Sequence, residues 1–155
     1  MSEQRRRLAV GSDLSHEAAT AVAAHLEKRG HEVLRCGAVA DVDTPWPDVA
    51  EEVARLVAQG AVETAVLCCW TGTGVSIAAN KVPGVRAALC CDAETARGAR
   101  RWNDANVLAL GLAGATPESV LPIVEAWLAT NDVDPAERRN IESVTRLERR
   151  YGLRP

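Results

Sequence analysis

Five short apolar runs alternate with longer segments of helical pattern along this 155-residue chain. Each run has the length of a buried strand, and each is followed by the spacing of an amphipathic helix. The predicted strands are 8–11, 32–36, 64–69, 85–90 and 106–110, and the predicted helices about 15–29, 48–59, 74–80, 92–101, 116–130 and 135–150. Strands joined by helices run parallel and are covered on both faces. The sequence therefore predicts one domain, 1–155, with a doubly wound α/β fold: a five-stranded parallel sheet in a Rossmann-like three-layer sandwich.

Composition excludes several classes of function. A net charge of −3 provides no polycationic surface for nucleic acid, and no stretch is long and apolar enough for a signal peptide or a membrane span. Four of the five cysteines form two adjacent pairs, whose side chains would point to opposite faces of a strand, and no C-x-x-C spacing suggests zinc. We therefore expect reduced thiols in a cytoplasmic protein with no metal, no cofactor and no nucleic-acid or membrane partner.

The segment 66–81 carries the main chemical signal. Its apolar run ends at Cys69, a Thr/Gly loop follows, and Ala-rich helical sequence begins directly after the loop. The loop residues are Trp70, Thr71, Gly72, Thr73 and Gly74. Open α/β sheets bind ligands at the carboxyl ends of their strands, and the N–H groups of a helix start stabilise an anion or a developing enolate oxygen. A thiol there is a candidate proton-transfer base, although a cysteine in such a run is more often a small buried hydrophobe and the threonines are more often caps.

Two further groups of residues are expected at the same edge. Asp13 follows the first strand and is suited either to binding a substrate hydroxyl or to capping the next helix. Three of the five aromatic residues, Trp46, Trp70 and Trp102, fall in predicted loops or helix ends, which favours an aromatic-lined pocket. Residues 101–104 are expected to join them. No G-x-G-x-x-G motif is present, so a dinucleotide site is disfavoured.

With these positions in view, the chain resembles the type B ribose-5-phosphate isomerase family, which also contains the galactose-6-phosphate isomerase subunits. The resemblance is carried by Cys69-x-Thr71-Gly72-x-Gly74-Val75-Ser76-Ile77-Ala78-Ala79-Asn80-Lys81, Gly84-Val85-Arg86-Ala87 and Asn103-Asp104-x-Asn106. It implies an isomerase or epimerase, of the aldose–ketose type, in which Cys69 moves a proton between two sugar carbons and the Thr71–Gly74 loop stabilises the cis-enediolate. It also implies a dimer or tetramer with the active site between subunits, Asp13 and Asn103 in that site, and the helix at 135–150 packed on the partner.

The departures from the family pattern concern substrate recognition. Leu14 and Trp102 stand where the family has histidines, Trp46 replaces a tyrosine, Trp70 replaces a glycine, and the phosphate-binding arginines become Ala113, Ala136 and Asn140. These changes predict a non-phosphorylated or more hydrophobic substrate, bound in part by Leu14 and the three tryptophans. Two alternatives remain open. One is a phosphosugar isomerase in which Arg138, Arg139 or Arg146 binds the phosphate, and the other is a non-catalytic binding or partner subunit.

Overall fold

A computed structural model describes residues 4–152 and contains one five-stranded, all-parallel sheet. The strands are β1 (Arg7–Ser12), β2 (Glu32–Gly37), β3 (Thr64–Cys69), β4 (Ala87–Leu89) and β5 (Val107–Gly111). The helices are α1 (Glu17–Lys28), α2 (Trp46–Ala58), α3 (Thr73–Ala79), α4 (Ala93–Asn103), α5 (Pro117–Ala129) and α6 (Arg138–Leu147). The spatial order β2-β1-β3-β5-β4 confirms the predicted doubly wound α/β class.

The sheet separates two apolar cores. Helices α1, α4 and α5 cover one face, and α2 and α3 cover the other. Since neighbouring strand residues point to opposite faces, Cys68 belongs to the first core and Cys69 to the second. The thiol of Cys69 therefore lies on the same side of the sheet as α3, the helix that follows it.

Helix α2 begins two residues earlier than the sequence pattern predicts. Trp46 is its first residue, and Pro47 lies in the first turn, where its missing N–H costs no hydrogen bond and its fixed φ suits the helix. The early start makes Trp46 a helical residue instead of a loop residue.

Helix α6 lies on the outside of the fold and has no buried residue. The backbone N–H of Asp134 donates to the Arg101 carbonyl over 2.8 Å before the helix, and Glu148 Oε1 accepts from the Gly84 N–H over 2.9 Å after it. These contacts hold α6 beside the edge strand β4. Within residues 4–152, no helix combines the length and apolarity needed to cross a membrane.

Candidate active site

Cys69 is the last residue of β3 and lies next to two other strand ends. It is only 6% exposed and stands in register with Gly111 of β5. On the other side of β3, Ser12 of β1 pairs with Cys68. Strands β1 and β3 therefore end within one residue of each other, and Asp13 follows β1 directly. Asp13 and Cys69 are therefore neighbours at the carboxyl edge of the sheet, as the sequence predicts.

Three other cysteines are held protonated by their surroundings. Burial is the main cause in each case: it raises the pKa of Cys36 to about 12, with help from Glu52, and that of Cys90 to about 11, with help from Asp92. Burial also raises the pKa of Cys68 to about 12. None of these three thiols is suited to act as a base near neutral pH.

The loop after Cys69 is tightly fitted to the end of β5. Gly72 adopts a left-handed conformation with φ 74°, and a Cβ there would come within 2.8 Å of the Gly111 nitrogen. A Cβ on Gly111 would in turn come within 2.8 Å of the Thr71 carbonyl oxygen. Only glycine allows this approach at both positions. The role of Gly111 was not recognised from the sequence, where a glycine at a strand end was the only signal.

Helix α3 begins directly after this loop, and its N-cap residue, Gly72, has no side chain to bond the N–H groups of the first turn. The Thr73 N–H donates to Thr71 Oγ1 over 3.3 Å, which leaves the Thr71 hydroxyl hydrogen available for another acceptor. Thr71 and Thr73 are both exposed. The positive end of the helix and these donors together make a suitable environment for an oxygen that develops negative charge.

Trp46 covers this helix start. A Cβ on Gly74 would lie 3.0 Å from Cε3 and 3.2 Å from Cδ2 of the Trp46 indole, so the ring rests directly on the first turn of α3. The side chain remains 44% exposed. Trp46 therefore covers the first turn of α3 and keeps part of its side chain exposed for contact with a ligand.

Asp13 has an unpartnered carboxylate oxygen. Its Oδ1 is buried and has no hydrogen-bond partner among the described residues. Burial raises the pKa of Asp13, an effect that the backbone N–H groups of Asp13 and Leu14 partly offset. Leu14 itself packs against the core beneath α1, on the face opposite Cys69, and the Ser12 hydroxyl donates to its carbonyl over 2.8 Å. The carboxylate, unlike Leu14, has capacity to bind a ligand hydroxyl.

Trp102 and Asn103 do not lie at this edge, so the expectation that residues 101–104 join Cys69 is wrong for a single chain. They end α4, a helix that returns the chain to the amino edge of the sheet before β5 begins. At about 3.3 Å per residue, the strand Val107–Gly111 separates the two edges by roughly 13 Å. This placement could have been predicted from the sequence, because a helix that joins two parallel strands must return the chain to the amino edge of the sheet.

The three exposed tryptophans therefore do not enclose one pocket within a chain. Trp70 is 56% exposed, and its carbonyl accepts from the N–H groups of Leu112 and Ala113. Trp102 is 54% exposed and packs back on its own helix, where a Cβ on Gly98 would lie 2.7 Å from its ring. The aromatic pocket predicted from the sequence is not formed by these residues in one chain.

Trp102 and Asn103 line a groove of about 770 Å³ between α6 and the β4 edge, which we call the α6 groove. Its apolar lining includes Val85, Ala87, Ala88, Ile141, Val144, Leu147 and Tyr151. Asn140 also lies on it, at the position where the resemblance implies a phosphate-binding arginine.

Charge is distributed unevenly between the two edges. The five loops that leave the carboxyl ends of the strands are 13–16, 38–45, 70–72, 90–92 and 112–116. They contain four aspartates and neither lysine nor arginine. The candidate phosphate-binding residues Arg138, Arg139 and Arg146 are all on α6 and exposed. Arg146 donates to the Ser143 hydroxyl over 2.7 Å.

Comparison with known proteins places this arrangement in context. The sequence model of the family described as Ribose/Galactose Isomerase matches residues 8–145. The chain is 40% identical over 141 residues to ribose-5-phosphate isomerase B of Escherichia coli, covering 91% of this chain and 92% of that protein. It is 45% identical over 83 residues to D-erythrulose-4-phosphate isomerase of Pectobacterium atrosepticum, covering 54% and 55%. Ribose-5-phosphate isomerase B of Clostridium thermocellum superposes with a TM-score of 0.85 at 35% identity, covering 94% of this chain and 99% of that one.

Proposed function

Because the chain belongs to the ribose/galactose isomerase family and is an aldose–ketose isomerase, we propose that Cys69 is its catalytic base. The thiolate takes the proton from the carbon next to the substrate carbonyl, and the electron pair moves to the carbonyl oxygen to form a cis-enediolate. After a proton moves between the two oxygens, the thiol returns its proton to the neighbouring carbon. The proton and electron pair both end on the substrate, so the reaction balances without an external reductant.

The Thr71–Gly74 loop holds the enediolate in this proposal. The N-cap position of α3 supports the assignment, since Gly72 has no side chain to occupy the N–H groups of the first turn, as does the hydroxyl hydrogen of Thr71. Donors of this kind are each worth about 10²–10³-fold in rate. Asp13 binds a substrate hydroxyl, an assignment supported by its buried and unpartnered Oδ1. Trp46 stacks on the sugar above Gly74.

The proposed substrate is a polyhydroxy carbonyl compound that lacks a phosphate or has a more hydrophobic distal end. The observation that carries this proposal is the absence of any lysine or arginine from the five loops around Cys69, where four aspartates lie instead. A phosphate would meet negative charge at these loops, and none of their side chains can make the bidentate contact that arginine provides.

Matched pairs of sugars test this preference. D-Ribose is compared with D-ribose 5-phosphate, and D-erythrulose with D-erythrulose 4-phosphate, by deuterium incorporation in D₂O measured with ¹H NMR. We expect the unphosphorylated sugar of a pair to have the higher kcat/KM. Faster turnover of both phosphorylated sugars would instead favour the second candidate, a phosphosugar isomerase using Arg138, Arg139 or Arg146. The exposure of those arginines on α6 is the observation that favours it.

We also propose that the working enzyme is a homodimer or a higher homo-oligomer with its active site between subunits. Trp102 and Asn103 can reach Cys69 only if a second copy brings its amino edge to the carboxyl edge of the first. The apolar α6 groove and the absence of buried residues on α6 support such packing. The five free thiols are in keeping with a cytoplasmic location, which we propose as well.

Subunit mixing tests the shared site. Cys69→Ser and Asn103→Ala inactivate different halves of it, so each variant alone should be impaired. After unfolding and refolding together in equal amounts, random dimers should recover about a quarter of wild-type activity, because half of them carry one intact site of two. Activity no higher than the mean of the two variants would contradict a site between subunits.

A further inference from the structure

The chain turns sharply at Asp104, directly after Asn103. Asp104 has φ 49° and ψ 42°, in the left-handed region, and is one of two non-glycine residues with positive φ in the described part of the chain. Side chains disfavour this conformation, although aspartate tolerates it better than most residues. Asn103 is the last residue of α4 and lines the α6 groove, so the conformation of Asp104 sets where the helix ends beside it.

Arg86 holds this turn with two hydrogen bonds. Its Nε donates to the Asp104 backbone carbonyl over 2.7 Å, and its guanidinium donates to Asp104 Oδ2 over 3.2 Å. The backbone of Arg86 is itself fixed at the start of β4. Its N–H donates to Asn106 Oδ1 over 2.7 Å, and its carbonyl accepts from the Asn106 N–H over 3.0 Å.

A surface ion pair explains only part of this arrangement. Arg86 and Asp104 are 26% and 45% exposed, and pairs of that kind contribute little to stability. The backbone N–H groups of Asp104 and Ala105 both donate to the Ala99 carbonyl, which restrains the amide side of the turn. The bond from Arg86 Nε adds a restraint on the Asp104 carbonyl, and the rigid fork of arginine allows both of its bonds at once.

We propose that Arg86 is a positioning residue, which holds Asp104 in its left-handed turn and thereby sets the orientation of Asn103 for substrate. The proposal rests on the proposed function, because it takes Asn103 as a substrate contact. Arg86 does not touch the reacting atoms; it acts through the turn. Its effect should therefore depend on the presence of Asn103 and on the conformational preference at position 104.

Arg86→Met removes the guanidinium and keeps the aliphatic stem. We expect kcat/KM to fall by about 10- to 100-fold, the size of effect that a small misplacement of a binding group produces. The assay uses the sugar turned over fastest among the four tested above. In an Asn103→Ala background, Arg86→Met should have no further effect, whereas a separate multiplicative loss would overturn the proposal.

A second substitution provides a rescue that general destabilisation would not. Glycine adopts the left-handed turn without help, so Asp104→Gly should restore most of the kcat/KM lost in Arg86→Met. The matched control is Arg97→Met, which removes an arginine of α4 that pairs with Glu94 and is remote from the turn. The proposal is overturned if the double variant stays as impaired as Arg86→Met, or if Arg97→Met is impaired to the same degree.

Two readouts separate this proposal from the proposed function. If Asn103→Ala retains wild-type kcat/KM, the assignment of Asn103 to the site fails and the positioning role fails with it. If Asn103→Ala is impaired and Arg86→Met is not, only the positioning role is overturned. Hydrogen–deuterium exchange of residues 99–106 needs no substrate: Arg86→Met should speed exchange there, Arg97→Met should not, and unchanged exchange in Arg86→Met contradicts the proposal.

Discussion

Gly111→Ala tests the fit between the loop after Cys69 and the end of β5. The new Cβ would lie 2.8 Å from the Thr71 carbonyl oxygen and 3.0 Å from its carbon. Both atoms belong to the backbone and cannot rotate away as a side chain could. The contact to oxygen has to lengthen by about 0.6 Å to reach 3.4 Å, the short end of ordinary contact. The loop must therefore move with Thr71.

Two magnitudes follow from that displacement. Overpacking of this kind lowers the free energy of unfolding by about 1–3 kcal/mol, and each kcal/mol lowers Tm by about 2–4 °C in a chain of this size. A shift of the loop by a fraction of an ångström also misplaces the proposed oxyanion donors, for which we expect a loss of up to about 100-fold in kcat/KM. Thermal melting and the deuterium-exchange assay measure the two effects separately.

Gly114→Ala is the matched control. Gly114 lies three residues after Gly111, in the loop 112–116, has φ +68° and has nothing within 4 Å of an added Cβ. The left-handed backbone alone should lower the free energy of unfolding by about 1–2 kcal/mol, a loss comparable to that of Gly111→Ala, without moving Thr71. If Gly111→Ala melts lower than wild type yet matches Gly114→Ala in kcat/KM, the position of the loop does not control the activity.

Three further predictions concern single side chains. Cys69→Ser should lower kcat by about 10²–10⁴-fold, whereas Cys68→Ser, on the opposite face, should retain most activity in the same NMR assay. Since burial raises the pKa of Asp13, the folded state disfavours its charged form and loses stability as pH rises above about 4. The Tm of Asp13→Asn relative to wild type should therefore be higher above the pKa of this carboxyl in the folded state than below about pH 4, while its kcat falls; a pH-independent difference in Tm would contradict the effect. Trp127→Phe removes the buried hydrogen bond from Nε1 to Thr64 Oγ1 (2.9 Å) and should cost about 1–3 kcal/mol in urea unfolding with kcat retained.

The strands and helices were predictable because their signals are local. The position of Cys69 at the end of β3 followed from an apolar run stopped by a Thr/Gly loop, and Gly72 indeed adopts the left-handed conformation that a tight loop needs. The start of α2 at Trp46 was missed because the two prolines around it are typical of a loop as well as of a first helical turn.

The grouping of candidate site residues was less predictable. Trp102 resembled Trp46 and Trp70 as an aromatic residue near the end of an element, but the path of α4 carries it to the other edge of the sheet. The contact of Trp46 with Gly74, and that of Arg86 with Asp104, join residues distant in sequence. Neither the hydrophobic periodicity of an element nor the spacing of residues within a motif predicts such contacts, because they depend on how separate elements pack.

Side-chain periodicity and turn chemistry over a few residues were enough to predict the alternation of strand and helix. The parallel sheet, and the edge of it at which Cys69 lies, follow from that alternation. The position of β5 between β3 and β4 is evident from the folded chain alone. That order brings Gly111 beside Cys69 and leaves β4 at the edge next to the α6 groove. The order of the strands depends on how whole helices and strands pack against one another. The hydrophobic pattern within a single strand does not indicate which strand lies beside it.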